Sequence, residues 1–430
     1  MTNFLTFKRG KEILEYPLPA APFEGNAFLP QTAFIPISLT KKNKLTPLVM
    51  RGEFVREGQL IARGTGKTDV NAYSSIPGVV YDFIDFDLPN GELIQSIAIK
   101  LEGSFDILGK TAAHYSWRES AASELLRTID FAGIINTAFS NNESLACQLR
   151  TTLKTASSAG KSLCINFFDK DPSCGLDSVL FDTFYNETAE GIGIIAKIIE
   201  AEHIICMHHC GKNEQAKLEK IAAVCSNCEV EFIKSSYNYP SVENFRLPKN
   251  TEVFWLDVPT AIYTYEAVKT NNPVTASYVL ISGKAVNECK VLKVRIGTPI
   301  GSLIEECGGF KVNPEHIILN GLMSGYSINN LDIPVTKNLK SIHVPSKDTI
   351  KSYARSECIN CGLCFNSCPL YLEPKKIVKA IEDNCLDSKI IKQINMCKGC
   401  SCCSATCPAR VPLSSIIGAA RENLKQRGNV

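Results

Sequence analysis

Nowhere in the 430 residues do eighteen or more apolar residues run together, so no segment is long enough to cross a bilayer as a helix. Any membrane link must come through a partner. Charge of one sign is lacking as well: 46 Lys and Arg against 44 Asp and Glu leave a formal +2, which argues against a general binder of nucleic acid or anionic membrane. Met1 to Lys11 offers no continuous apolar run ahead of a small-residue cleavage site, so the expectation is a chain without a secretory leader in a reducing, cytoplasmic setting. No Ser/His/Asp arrangement and no paired catalytic carboxylates stand at a usable spacing. The length predicts three or four domains, at roughly 100–200 residues each.

What the sequence has in quantity is cysteine, 19 in all, and eight fall in two copies of one pattern. Cys358, Cys361, Cys364 and Cys368 precede Pro369; Cys397, Cys400, Cys403 and Cys407 precede Pro408. Each copy is the CxxCxxCxxxCP run of bacterial ferredoxins, and two copies predict two four-iron, four-sulfur (4Fe-4S) clusters. Three thiolates two residues apart let a tight loop wrap one face of a cubane, while the fourth, three residues on and ahead of a proline, turns toward the other cluster. The ligands are therefore assigned crosswise: Cys358, Cys361, Cys364 and Cys407 for one cluster, Cys397, Cys400, Cys403 and Cys368 for the other. Zinc ribbons show two CxxC pairs with a longer loop between them, not four-cysteine runs ending in CP. Cys402 breaks the spacing that Cys400 and Cys403 keep and is read as a non-ligand.

Along the chain, residues 1 to about 105 read as all-β, with short apolar runs at 33–37 and 94–99 between Gly, Pro and Asn turns. Gly52 and Gly58 flank a charged turn, and Pro77-Gly78 leads into a β-branched strand, as two intertwined hairpins require. This is similar to the barrel-sandwich hybrid of lipoyl and biotinyl carriers, without their modifiable apex lysine, and is read as structural. Lys67, after Gly66, lacks the earlier glycine of a P-loop and reads as a turn. From about 115 to 265, strands at 163–168, 204–207 and 230–233 alternate with helices at 187–202 and 214–224, which implies right-handed crossovers and a parallel sheet. Ligands gather at the carboxyl ends of such strands. The candidates there are Asn166, Asp169 and Asp171, then His208 and His209, then Ser235, Ser236 and Tyr237. Adjacent histidines on a strand point to opposite sides and do not easily share one ion. Cys225 and Cys228 precede a strand, whereas a thioredoxin-type pair leads into a helix, so they read as incidental thiols. Residues 274–345 return to β with a short helix and form a small β-grasp. Between the cysteine runs there is room for two short helices, with Ile377, Ala380 and Ile381 inward, and Ile416, Ile417, Ala420 and Leu424 mark a closing amphipathic helix. The spacing points to a helical ferredoxin domain.

The order of these pieces, with the β-grasp ending in Leu319-Asn320-Gly321-Leu322-Met323-Ser324-Gly325 ahead of the cysteine runs, resembles the RnfC family over nearly the whole chain. Members of that family are subunits of the Rnf ion-translocating ferredoxin:NAD oxidoreductase. The fold this implies is multidomain α+β: a barrel-sandwich hybrid over 1–110, a Rossmann-like α/β domain of the FMN/NADH type over 111–270, an SLBB-type β-grasp over 271–345, and a helical ferredoxin domain over 346–430. The α/β part of that family is also similar to the flavin- and NADH-binding subunit of respiratory complex I. Family members carry a GxGGAGFPT loop whose bare backbone admits flavin and nicotinamide. Here the stretch 132–140 keeps only Gly133, Ala138 and Phe139, and Ile135, Asn136 and Thr137 bring side chains into that space. Asn166, Asp169, Asp171-Pro172 and Asp177 resemble the family's acidic segment NxxExEP and the acid beyond it. Lys8-Arg9-Gly10-Lys11 stands where many members have GGIHP.

The resemblance leaves two functions open. In one the chain is an electron-wiring subunit with a vestigial nucleotide site, peripheral on the cytoplasmic face of the inner membrane, relaying electrons through two 4Fe-4S clusters between a soluble carrier such as a ferredoxin or flavodoxin and the membrane subunits. In the other it keeps FMN and exchanges electrons with NAD(H) directly, flavin taking two electrons and releasing one at a time. The loss of glycines favours the first. A soluble iron-sulfur reductase for another acceptor is a third reading, with no substrate pocket in the sequence to support it.

Overall fold

The computed structural model describes residues 21–40, 43–66, 68–87, 93–108, 116–138, 143–155, 160–169, 171, 173–208, 215–234, 252–347 and 354–426. Lys8-Arg9-Gly10-Lys11, Lys67, Phe139, Pro172, His209, Ser235, Ser236 and Tyr237 lie outside the described residues.

Alternating apolar residues build the first sheet, in the order Thr32–Pro36, Leu93–Leu101, Gly78–Asp87, Phe54–Val55, faced by Thr46–Pro47, Leu60–Arg63 and Ala72–Tyr73. Ala33, Ile35, Val55, Ile61, Ile76, Ile97 and Ile99 fill the space between. The turn at Pro77-Gly78 needs glycine for closeness, since a side chain on Gly78 would meet the Lys100 carbonyl at 2.0 Å. Asp69 accepts from the Thr65 and Gly66 N–H groups and holds the neighbouring turn.

The second layer is a four-stranded parallel sheet ordered Glu229–Lys234, His203–His208, Lys161–Asn166, Glu252–Asp257. Its two central strands, His203–His208 and Lys161–Asn166, are buried nearly throughout, whereas the edge strand Glu229–Lys234 alternates charged and apolar residues. Helices Ala122–Ala132, Leu145–Lys154, Tyr185–Ile199 and Val258–Thr270 share its main core. The Val258–Thr270 helix starts where expected of its sequence: Asp257 is the N-cap, accepting from Thr260 N, and proline sits in the first turn.

A six-stranded sheet follows, ordered Phe23–Asn26, Lys290–Arg295, Ala276–Ser282, Ser341–His343, Ile317–Leu319, Tyr326–Ile328. The first of these strands departs from expectation. Phe23–Asn26 pairs with Lys290–Arg295 instead of joining the barrel sandwich. The Ala276–Ser282 strand serves two cores, with Tyr278 and Leu280 turned to the α/β core and Val279 and Ile281 to the β-grasp core. That sharing presses the 320–340 loops onto the carboxyl ends of the parallel strands.

Five helices close the described chain: Leu363–Asn366, Pro374–Glu382, Ser388–Met396, Cys402–Ala405 and Leu413–Gln426. Ile377, Ile394, Ile417, Ala420 and Leu424 form their core. Among the described residues no helix is long and apolar enough to cross a membrane.

Candidate functional site

Each cysteine run follows the same backbone path. Left-handed residues recur 39 positions apart, Asn360 with Gly399, Gly362 with Ser401, and Tyr371 with Arg410. A one-turn helix follows each middle pair, and Pro374–Glu382 and Leu413–Gln426 begin at equivalent positions. Ser367 and Thr406, equivalent residues, meet at 3.0 Å, as residues beside a pseudo-twofold axis must. The consequence is an exchange of cysteines. Cys358, Cys361, Cys364 and Cys407 line one cavity of about 310 Å³, and Cys368, Cys397, Cys400 and Cys403 line a second of about 20 Å³. Cys402 is buried and lines neither.

The two cavities differ in access and charge. Cys358 and Cys361 are exposed, whereas Cys368 and Cys403 are buried. Burial pushes the thiols of Cys364, Cys368, Cys397 and Cys403 up, so each gives up its proton only to something that binds the thiolate. The Leu372 N–H donates to Cys368 Sγ at 3.4 Å. Among the described residues no three Cys, His, Asp or Glu side chains converge as they do around a single ion. Four thiols spread round a cavity suit a larger metal-sulfur unit, and opening the second cavity to hold one requires its walls to part.

The strand-end candidates meet a different fate. Asn166 and Asp257 stand side by side on neighbouring parallel strands. Lys340, reaching in from the β-grasp, lies 2.7 Å from Asp257 Oδ2, 2.9 Å from Asp177 Oδ1 and 3.8 Å from Asp169 Oδ1. Burial alone would discharge this lysine, but Asp177, Asp257 and Asp169 together hold its ammonium well above the usual lysine range. Burial likewise raises the Asp169 and Asp177 carboxyls; Lys340 opposes this at both, while Asp257 and Asp171 add to it at Asp169, and Asp169 and Asp257 add to it at Asp177. Asp171 faces the β-grasp loop: it accepts from Met323 N and Ser324 N at 2.8 Å each and from Ser173 Oγ at 2.6 Å. Gly321 has to be glycine here, because its φ is +97° and a side chain would fall 2.4 Å from the Asp171 carboxylate.

The stretch 133–138 is equally engaged. Gly133 ends the Ala122–Ala132 helix in the left-handed conformation. Ile135 and Asn136 are buried, and Asn136 Nδ2 donates to Trp255 O at 2.8 Å and Gln148 Oε1 at 2.9 Å. Thr137 Oγ1 donates to Asp257 Oδ2 at 2.7 Å, and Ala138 N donates to Asn136 Oδ1 at 3.1 Å. His208 is buried at its strand end, and Cys228 donates to Ala201 O at 3.1 Å beside buried Cys225.

Two family models match the chain: the RnfC barrel sandwich hybrid domain over residues 24–104 and the SLBB domain over 278–325. The C subunit of the proton-translocating ferredoxin:NAD(+) oxidoreductase complex of Clostridium ljungdahlii is 27% identical over 378 residues, 84% of this chain and 79% of that protein. Its counterpart in the Na(+)-translocating complex of Acetobacterium woodii is 26% identical, covering 83% of each. Over most of its length the chain is thus similar to C subunits of ion-translocating ferredoxin:NAD(+) oxidoreductase complexes. Among solved structures, an NAD+-reducing [NiFe]-hydrogenase in the air-oxidized state aligns with TM-score 0.50 at 13% identity, over 73% of this chain and 64% of that one, a likeness of fold.

The site residues that sequence reasoning missed are Asp257 and Lys340. Asp257 carried a signal, standing between an apolar run and a Val-Pro pair as a helix cap does. Lys340 carried none.

Proposed function

We propose that this chain is the electron-transfer subunit of a membrane-associated, Rnf-type ion-translocating oxidoreductase, held at the cytoplasmic face of the inner membrane by partner subunits. Cys358, Cys361, Cys364 and Cys407 hold one 4Fe-4S cluster, and Cys397, Cys400, Cys403 and Cys368 hold the other. The observation that carries this reading is the sorting of eight cysteines into two cavities, each with three thiols from one run and one from the other. Such clusters supply one-electron transfer between a soluble redox carrier and the membrane subunits. The polypeptide's part is to present thiolates, supply amide bonds to sulfur and limit water. In this reading 346–430 is a helical ferredoxin domain and 111–270 a Rossmann-like domain whose nucleotide site has become a structural joint. Supporting that last point, Asp169, Asp171, Asp177 and Asp257 are spent on Lys340 and the 321–324 loop, and Ile135, Asn136 and Thr137 fill the stretch a glycine loop would leave bare.

A second reading, direct exchange with NAD(H) through FMN bound near Gly133, Ala138, Phe139, Asn166, Asp169, Asp171 and Asp177, draws on the names of the relatives, which belong to ferredoxin:NAD(+) oxidoreductase complexes. Anaerobic titration of the iron-loaded protein with NADH, with and without added FMN, separates the two. The wiring reading expects visible absorption and paramagnetic resonance signals that respond to dithionite and ignore NADH. FMN-dependent bleaching by NADH would replace it with the second.

A further inference from the structure

The 39-residue pseudo-repeat makes the two cysteine sites comparable position by position, and their charges do not match. The first cavity is lined by Arg355, Lys375 and Lys379 against Glu357, Glu382 and Asp383, a balanced set in which Arg355 pairs with Glu382 at 2.6 Å. Lys398 is the charged residue that lines the second cavity, and Arg421 Nη1 donates to the carbonyl of Cys397 at 2.6 Å. Arg421 stands at the position equivalent to Glu382, and Lys398 at the position equivalent to Ile359. Charge is thus inverted at one pair of sites and added at another. Arg421 is also half-buried, and among the described residues its Nε has no hydrogen-bond partner and its contact with Glu422 is long at 3.8 Å.

Reduction adds one electron to a cluster, and a cation held nearby in a partly buried setting stabilises the added charge. Building on the cluster reading above, we infer that Arg421, with Lys398, raises the reduction potential of the second site above that of the first. An electron entering this part of the chain then rests on the buried site, and the exposed first site is the one that exchanges with partners. Burial of Cys368 and Cys403 works in the opposite direction, so Arg421 is a positioning residue whose removal exposes that opposing effect.

The test is a dithionite-poised redox titration of the full, iron-loaded chain, followed by paramagnetic resonance. The wild type is expected to show two midpoint potentials. Cys361→Ala, which leaves the second site intact, should retain the higher of them. Arg421→Gln should move that higher potential downward and leave the other unmoved, while Arg421→Lys keeps most of the wild-type value. Glu382→Gln, the mirror change, should move only the lower potential, and upward. If Arg421→Gln disrupts assembly, Lys398→Gln should shift the same signal in the same direction. Two equal potentials in the wild type, or a higher potential unmoved by both Arg421→Gln and Lys398→Gln, would overturn the assignment. Iron well below about eight per chain in the wild type would instead overturn the cluster reading on which it rests.

Discussion

The cysteine sites and the strand-end site both carry residues that resemble family motifs, yet they have opposite interiors. In the cysteine region every motif side chain faces a cavity, and each cavity collects its thiols from both runs. At the strand ends the acidic motif side chains face another side chain or a loop: Asp171 the 321–324 loop, Asp169 and Asp177 the ammonium of Lys340. Burying polar groups is costly unless they are paired, and most of those at the strand ends take partners from the protein itself, while among the described residues Asn166 Oδ1 and Asp169 Oδ1 have no hydrogen-bond partner. These contacts join the α/β core to the β-grasp.

The largest expected effect lies in the region that keeps its cavities. Cys361→Ala removes one of four thiolates from the first site, so iron should fall from about eight to about four per chain, and electron relay should stop while the other signal persists. Retention of eight irons with unaltered spectra would break the crosswise assignment, and with it the contrast between the two regions. At the strand ends, Lys340→Met leaves Asp169, Asp177 and Asp257 without their cation. The expected cost in chemical denaturation at neutral pH is about 3–5 kcal/mol, the range for breaking one side of a buried ion pair. The cost should shrink as pH falls, because protonation of the raised carboxyls removes the uncompensated charge. A loss below about 1 kcal/mol would mean that the Lys340 ion pairs do not hold the joint.

Legibility followed how local each signal was. The cysteine runs declare themselves within eleven residues each, and each cavity in the structure draws thiols from both runs. The helices at Pro374–Glu382 and Ser388–Met396 were equally readable, because Ile377 and Ile381 keep a helical period with a proline start. The parallel sheet came from the alternation of strands and helices, but its fourth strand, Glu252–Asp257, lies outside the readable alternation, and it brings Asp257 to the site. Lys340 pairs with an acid 163 residues away, a contact fixed only by how two sheets pack. Phe23–Asn26 went to the wrong sheet for the same reason, since an edge strand of four residues holds no information about which distant strand it joins.

The smallest effect is the most discriminating about the joint. Asp169 Oδ2 accepts from Asp177 N at 2.8 Å, while Oδ1 has no hydrogen bond among the described residues and sits 3.8 Å from Lys340. Asparagine can keep the first bond and shed the charge. Because the folded carboxyl is held above its unfolded value near ~3.9, the wild type has its full Asp169 contribution below that value and loses it as pH rises through the folded one. The substituted amide does not titrate, so the stability of Asp169→Asn relative to wild type should climb between acid and neutral pH and end neutral to about 1 kcal/mol favourable. The opposite trend, a variant that weakens as pH rises, would show that the Asp169 charge is wanted. The joint would then be tuned around three carboxylates and not merely tolerant of them.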